Sequence, residues 1–271
     1  MAQASGLRLP HAASAKREER MLAVLKSVNA RGPVALADLA GELRVSAATL
    51  RRDLADMEDQ GLLIRTHGGA RPHAVHDEVP VHLRDLEARE AKHRIALRAA
   101  ELIPTGPYAV ALSGGTTTAE IAKALSRRTQ LTIVTNAVTI ALELAARPTA
   151  KVILTGGMVR STSFEAVGVL AEATFKAVNV GTAILGVDGV SAAGGATTHD
   201  EVEARTNQAM VDHAQRVMVV TDGSKVGRVT LARMAETAQI DVLITDTTAD
   251  SGELDRLRAA GVVVHVVEPR R

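Results

Sequence analysis

Residues 45–70 read VSAATLRRDLADMEDQGLLIRTHGGA and hold, in order, a helix cap, a helix, a stop, a strand and a glycine turn. Ser46 is a good N-cap, because its hydroxyl can accept from an amide that the first helical turn leaves unbonded. The helix it starts runs from Ala47 to about Gln60, where Gly61 ends it. Leu50, Leu54 and Met57 fall within one narrow arc of that helix, so they form its buried face. The opposite face carries Ala48, Arg52 and Ala55, flanked by Thr49 and Arg51. Leu62–Thr66 then reads as a strand leading into the turn His67-Gly68-Gly69.

Working outward on the N-terminal side, Lys16–Ala30 places Met21, Leu22, Val24, Leu25 and Val28 on a helical stripe, and Arg31-Gly32-Pro33 stops it. A short helix follows, with Leu36, Leu39, Ala40 and Leu43 on one side to receive Leu50 and Leu54. This order of elements predicts a winged helix-turn-helix over residues 16–71, preceded by a disordered tail over 1–15. Small residues beside two arginines suit entry into a major groove, where Arg bonds guanine bidentately or clamps phosphate. The candidate DNA contacts are Ser46, Thr49, Arg51 and Arg52 on the helix, with Arg65 and His67 on the wing.

Composition bounds the rest. The 271 residues are 46% hydrophobic and 23% charged, the balance of a folded chain with one small and one ordinary domain. There is no Cys, which excludes disulfides, thiolate metal sites and a thiol nucleophile. The net charge of +1 divides into an excess of three positive charges over 1–71 and two negative charges beyond, a mild basic bias at the DNA-binding end. Tyr108, Phe164 and Phe175 are the whole aromatic complement, too few to stack the bases of single-stranded nucleic acid. The start, MAQASGLRLPHAAS, lacks a signal-peptide core, and no apolar run is long enough to span a bilayer, so a cytoplasmic protein without a membrane partner is expected.

Residues 72–90, with Pro72, Pro80, His73, His76 and His82, read as a linker. From 91 to 271 short apolar runs alternate with helical stretches. Strands are predicted at 108–112, 131–135, 151–155, 182–187, 216–221, 241–245 and 262–267, and helices near 90–102, 117–127, 137–147, 166–178, 200–214 and 253–260. Continuous apolar strands separated by helices predict an α/β domain with a mainly parallel sheet covered on both faces.

The first strand of this domain leads into SGGTTTAEIAKAL, residues 113–125. Its glycines let backbone N–H groups approach an anion, threonine hydroxyls add donors, and the following helix start favours negative charge. The spacing is neither a Walker A loop nor a Rossmann fingerprint, which favours a small phosphoryl group over a nucleotide. Other strands end in Thr135-Asn136, Gly156-Gly157, Asp188-Gly189 and Asp222-Gly223-Ser224-Lys225, and ligands of open α/β sheets bind at such carboxyl ends. Asn136 fits a helix cap as well as a ligand contact, and Asp188 fits a simple Asp-Gly turn.

The 45–70 stretch resembles the DeoR family of transcriptional regulators. The resemblance continues through VTNAVTIALELA, ILTGGMVR, ILGVDGV, GGATT and TDGSKVGR, from about residue 17 to residue 246. It implies a C-terminal domain similar in fold to ribose-5-phosphate isomerase that binds phosphorylated sugars. The residues at matching effector positions are Gly115, Thr116, Thr117, Asn136, Gly157, Asp188 and Lys225. Ser113 stands where the family often has Asp. The expected function is a DNA-binding regulator, a repressor of a carbohydrate operon, that acts as a homo-oligomer on double-stranded operator DNA under control of a phosphorylated sugar. No catalytic residue, metal or cofactor is expected. The competing reading is a phosphosugar isomerase with Asp188 or Glu201 as base, and a metal site at His73, His76 and Asp77 has nothing nearby to complete it.

Overall fold

The computed structural model describes residues 15–73, 78–84, 88–147 and 151–268. The chain divides into two compact units, one ending at Val79 and one beginning at Pro80. Most of the expected tail, together with His76 and Asp77, lies outside the described residues.

The first unit runs α1 (Ala15–Arg31), β1 (Val34–Ala35), α2 (Leu36–Leu43), α3 (Ala47–Asp59), β2 (Leu63–Thr66) and β3 (Gly69–Pro72). The predicted apolar arcs meet as read: Val24, Leu25, Val28, Leu39, Leu50, Leu54 and Met57 are all buried. Ser46 caps α3, its hydroxyl accepting from the Thr49 amide at 3.1 Å. β2 and β3 form the wing hairpin, and the two-residue β1, not foreseen from sequence, pairs antiparallel with β3. That pairing explains Gly69, where a Cβ would collide with the Val34 carbonyl.

Asp53 is the buried charge of this unit. Its two carboxylate oxygens accept from Arg17 Nε at 3.1 Å and Arg20 Nε at 2.5 Å, which bolts α1 to α3. Removing one member of such a cluster leaves the remaining charges without compensation. Asp53→Ala is therefore expected to destabilise the unit by about 1–3 kcal/mol, below the roughly 3–5 kcal/mol of a fully buried pair because both arginines retain some solvent. Hydrogen exchange of the α3 amides should accelerate by roughly five- to a hundredfold, and unchanged rates would show that the cluster contributes nothing.

The second unit begins with α4 (Val81–Arg84), α5 (Arg89–Glu101), β4 (Tyr108–Leu112), α6 (Thr116–Leu125), β5 (Leu131–Thr135) and α7 (Val138–Ala145). It continues with β6 (Lys151–Leu154), β7 (Met158–Val159), β8 (Ala166–Val167), α8 (Val169–Lys176) and β9 (Thr182–Gly186). Next come β10 (Gly189–Ser191), β11 (Gly195–Thr198), α9 (Glu201–Val211), β12 (Val217–Val220) and β13 (Ala232–Ala235). It closes with β14 (Val242–Asp246), α10 (Ser251–Ala259) and β15 (Val263–Val267).

Seven strands form one sheet in the order β15-β14-β12-β9-β4-β5-β6, with every pair parallel. The apolar runs sort by alternate residues. Val110, Leu112, Ile184, Met218, Val220, Val242 and Ile244 face a core shared with α5, α6 and α7. Ala111, Ala183, Leu185, Val217, Val219 and Leu243 face a second core with α8, α9 and α10.

Three features differ from the sequence reading. The helix expected over 166–178 is divided, because Gly168 takes φ +91° and separates β8 from α8. β7 and β8 form a small hairpin, and β10, β11 and β13 form an antiparallel sheet, from pieces too short to show a period. Residues 81–84, read as linker, are structured within this unit: Leu83 is fully buried and the Val81 amide donates to the Thr162 carbonyl at 2.9 Å.

Candidate functional site

The sheet places the site. From β4 the chain passes to β5 and β6 on one side, then returns to β9 on the other flank of β4. The loops after β4 and β9 therefore diverge and leave a crevice at the carboxyl ends of the strands, where open α/β sheets bind ligands. One pocket lies there, lined by the 114–117 loop, by Gly186–Asp188 after β9 and by Val220–Asp222 and Lys225 after β12.

The loop is built for close approach. Gly115 has φ +118°, a region side chains avoid, so the turn from β4 into α6 requires glycine. Thr116 and Thr117 open α6, and Thr118 Oγ1 donates to the Gly115 carbonyl at 2.9 Å, which stiffens the turn. Of the candidates read from sequence, Gly115, Thr116, Thr117, Asp188 and Lys225 line this one pocket. The Lys225 ammonium has no ion pair among the described residues and belongs to a one-turn 3-10 segment, Gly223–Lys225.

Ser113, Asn136 and Gly157 do not line the pocket. Ser113 Oγ accepts from the Gly186 amide at 3.0 Å and donates to the Gly114 carbonyl at 3.2 Å, so it stitches the β4 and β9 ends together beneath the loop. Asn136 is fully buried, 3.4 Å from Asn207 Oδ1 through its Nδ2, and its backbone carbonyl accepts from Ala166 at 2.7 Å. Gly157 allows the β7–β8 hairpin to close, since a Cβ there would lie 2.6 Å from the Val167 carbonyl.

Sequence reasoning missed the far wall of the pocket, made by Arg84, Lys92, Ser163, Glu165 and Glu203. Arg84 Nη1 donates to Asp188 Oδ1 at 2.9 Å, and Lys92 Nζ donates to the Arg84 carbonyl at 2.6 Å, so α5 holds α4 in place. The Glu165 carboxyl accepts from the Gly114 amide and borders Glu203, while Arg160 pairs with Glu203 and, at 3.3 Å, with Asp200. Thr198 Oγ1 sits 2.7 Å from Glu203 Oε1 and 3.1 Å from Asp188 Oδ2; with one hydrogen it donates to one of them at a time. None of these residues carries a local motif; α4, α5, the β7–β8 segment and α9 contribute them from distant parts of the sequence. Glu201, the other carboxylate considered as a base, is exposed and outside the lining; Glu203, two residues on, is the one that faces inward.

Burial holds the Glu165 carboxyl well above the usual carboxylate range, reinforced by the negative charge of Glu203 and the hydrogen bond between them. The Gly114 amide and Arg160 pull the other way but less strongly. The Glu165 carboxyl therefore favours its protonated form more than a free carboxyl does, while accepting from the Gly114 amide. A carboxyl whose value is raised on folding stabilises the fold most below the ordinary carboxylate range, and that contribution is lost as pH rises through the raised value. Glu165→Gln supplies the same acceptor and donor without titrating. It is expected to melt higher than the wild type at alkaline pH, with the difference narrowing as pH falls towards 5 in thermal melts; a pH-independent difference would show Glu165 to be ionised throughout.

In the first unit α3 presents Arg51 and Arg52 exposed, without ion pairs among the described residues. Arg51 borders a concavity shared with Arg65, His67 and Gly68 of the wing, whereas Arg52 borders one shared with Arg17 and Thr49. Ser46 and Thr49 are engaged at the helix start, their hydroxyls 2.9 Å apart. Arg65 is held by Glu58, whose carboxylate accepts from its Nε at 2.6 Å and from its amide at 2.9 Å, tying the end of α3 to the wing. Hydrogen bonds from Arg65 hold the Glu58 carboxyl below its usual range.

Among the described residues no helix is long and apolar enough to cross a membrane. Residues 19–73 match the DeoR-like helix-turn-helix domain, and residues 87–247 match the DeoR C terminal sensor domain. The chain is 36% identical to the HTH-type transcriptional regulator GlpR of Haloferax volcanii, over 92% of this chain and 96% of that one. It is 33% identical to the glycerol-3-phosphate regulon repressor of Escherichia coli K12, over 85% and 91%. Ribose 5-phosphate isomerase A from Neisseria gonorrhoeae is a distant likeness, at 17% identity and TM-score 0.37 over 51% of this chain and 53% of that one. With both halves matched in order and full-length relatives above 30% identity, the chain belongs to the DeoR family of DNA-binding transcriptional regulators.

Proposed function

We propose that this regulator is a repressor of a carbohydrate-utilisation operon, and that the pocket of its second unit binds a phosphorylated sugar or a related small phosphate ester that alters its hold on the operator. The observation that carries this reading is the convergence of the Gly115–Thr117 turn, the start of α6 and the Lys225 ammonium on one crevice. Backbone donors, hydroxyls and a cation together suit a phosphoryl group. Asp188 and Glu203, which line the same pocket, can accept from hydroxyls of the same ligand. A relative of similar length is named for the glycerol-3-phosphate regulon, which agrees with a small phosphorylated effector. On this reading Ser113, Asn136 and Gly157 support the site from beneath, and the pocket is a binding site rather than a catalytic one.

On the DNA side, Arg52 is read as a base contact, Arg51, Arg65 and His67 as contacts of the wing side, and Ser46 and Thr49 as phosphate contacts of the helix start. Helix-turn-helix proteins read paired half-sites through their own symmetry, so the working form is at least a dimer. A ligand shifts such a regulator only if it binds the DNA-competent and DNA-incompetent forms unequally.

Fluorescence anisotropy on the protein's own upstream DNA, at one fixed salt concentration, tests this with a panel of sugar phosphates and their unphosphorylated parents. One phosphate should shift DNA affinity where its parent does not; no shift from any member would remove phosphate recognition. Lys225→Ala should keep DNA affinity near normal while raising the effector concentration for half-response at least tenfold, and an unchanged response would take Lys225 out of the site. Arg52→Ala should weaken operator binding by about 1–3 kcal/mol and relax preference at one base pair. Equal weakening on operator and random DNA would make Arg52 a phosphate contact only.

A further inference from the structure

We propose that a second copy of this chain docks on the outward face of α8 and the adjoining β7–β8 hairpin, an inference that rests on the dimeric reading above and assigns it a surface. α8 turns Ala171, Glu172 and Phe175 inward, yet its outer face is also apolar. Val169 is 77% exposed and Leu170 67%, and Ala173 and Ala177 continue the same exposed stripe at helical spacing. Met158, 67% exposed, and Val159, 50%, extend the patch along the hairpin. The two parts are contiguous: a Cβ on Gly156 would lie 3.6 Å from the Leu170 Cβ, and Met158 pairs with Val167, two residues before α8.

The shape of this face selects its occupant. Bulky residues crowd one end of the α8 stripe and alanines the other. Antiparallel pairing of α8 with the same helix of a second copy, centred on Ala173, sets Val169 of each against Ala177 of the other. Large side chains then fill the space above small ones, the self-complementarity that a two-fold interface requires. The four large apolar side chains and two alanines expose on the order of 500 Å² per copy, so pairing would bury about 1,000 Å² in total, the threshold for a specific interface. The centre of the stripe is uncharged, and Lys176 lies beside it already within 3.6 Å of Glu172, leaving charge at the rim as interfaces do. The same hairpin carries Ser163 and Glu165 to the pocket wall, so this surface and the effector site share one element.

The absence of native cysteine makes the test direct. Full-length A173C, as the chain's sole thiol, should be captured as a covalent dimer by a short bismaleimide, whereas A259C, on the exposed face of α10, should not. Sedimentation should find the wild type dimeric at micromolar concentration and L170D/A173E at least tenfold weaker in self-association, with unchanged far-UV circular dichroism. If the wild type is dimeric but L170D/A173E associates equally well and A173C is not captured, this surface is wrong while the dimeric reading survives. A wild type that sediments as a monomer, alone and on its operator, overturns both. Should L170D/A173E fail to fold, capture of A173C against A259C decides the matter alone.

Discussion

Between β4 and β9 the parallel sheet grows in opposite directions, and nearly everything the second unit does depends on that reversal. Parallel strands need crossovers, and crossovers that leave to opposite sides cannot cover the gap between their starting points. The gap opens where amides at the end of β4 and the start of α6 have no sheet partner. A glycine turn with threonines fills it, Ser113 ties its two banks together, and the β7–β8 hairpin folds over one side to bring Glu165 to the Gly114 amide. The pocket is therefore the place where the topology leaves polar backbone unpaired, lined by side chains that divide those groups between the protein and a ligand.

The electrostatics of this pocket are more balanced than its glycine-threonine loop suggests. Arg84, Lys92 and Lys225 share the lining with Asp188, Glu203, Glu165 and Asp222. Left unmodified, four carboxylates would repel an anion. Three features reduce that charge: burial disfavours the charged form of Glu165, Asp188 is paired with Arg84, and Glu203 is paired with Arg160. Lys225 remains the cation without an internal partner among the described residues.

In the first unit the comparable constraint is the fixing of α3. Asp53 joins it to α1 through two arginines, and Glu58 joins it to the wing through Arg65. These acidic residues interleave with Arg51 and Arg52, so one helix carries both its anchors and its exposed cations. The alternation follows from helical periodicity: Asp53 and Leu54 turn inward at the angles where Arg51 and Arg52 turn out.

Local chemistry determined much of this protein. The Ser46 cap, the Leu50–Leu54–Met57 arc, the apolar strands and the Gly115 turn depend on neighbours within a few residues, and they occur where the sequence implies. Five of eight effector candidates meet in one pocket for the same reason, because strand ends are legible and parallel topology gathers them. What only the tertiary structure decided is the other wall. Arg84 sits in a segment with no periodicity, and Glu165 and Glu203 are single carboxylates 38 positions apart whose proximity depends on a two-residue hairpin packing on α9. The raised pKa of Glu165 likewise comes from burial and a neighbouring charge, neither of which exists until the chain is folded. Ser113 shows the same divide: its place beside the glycines marks it as a ligand residue, but its hydroxyl is used by the Gly186 amide, a partner 73 positions away that only the sheet brings near.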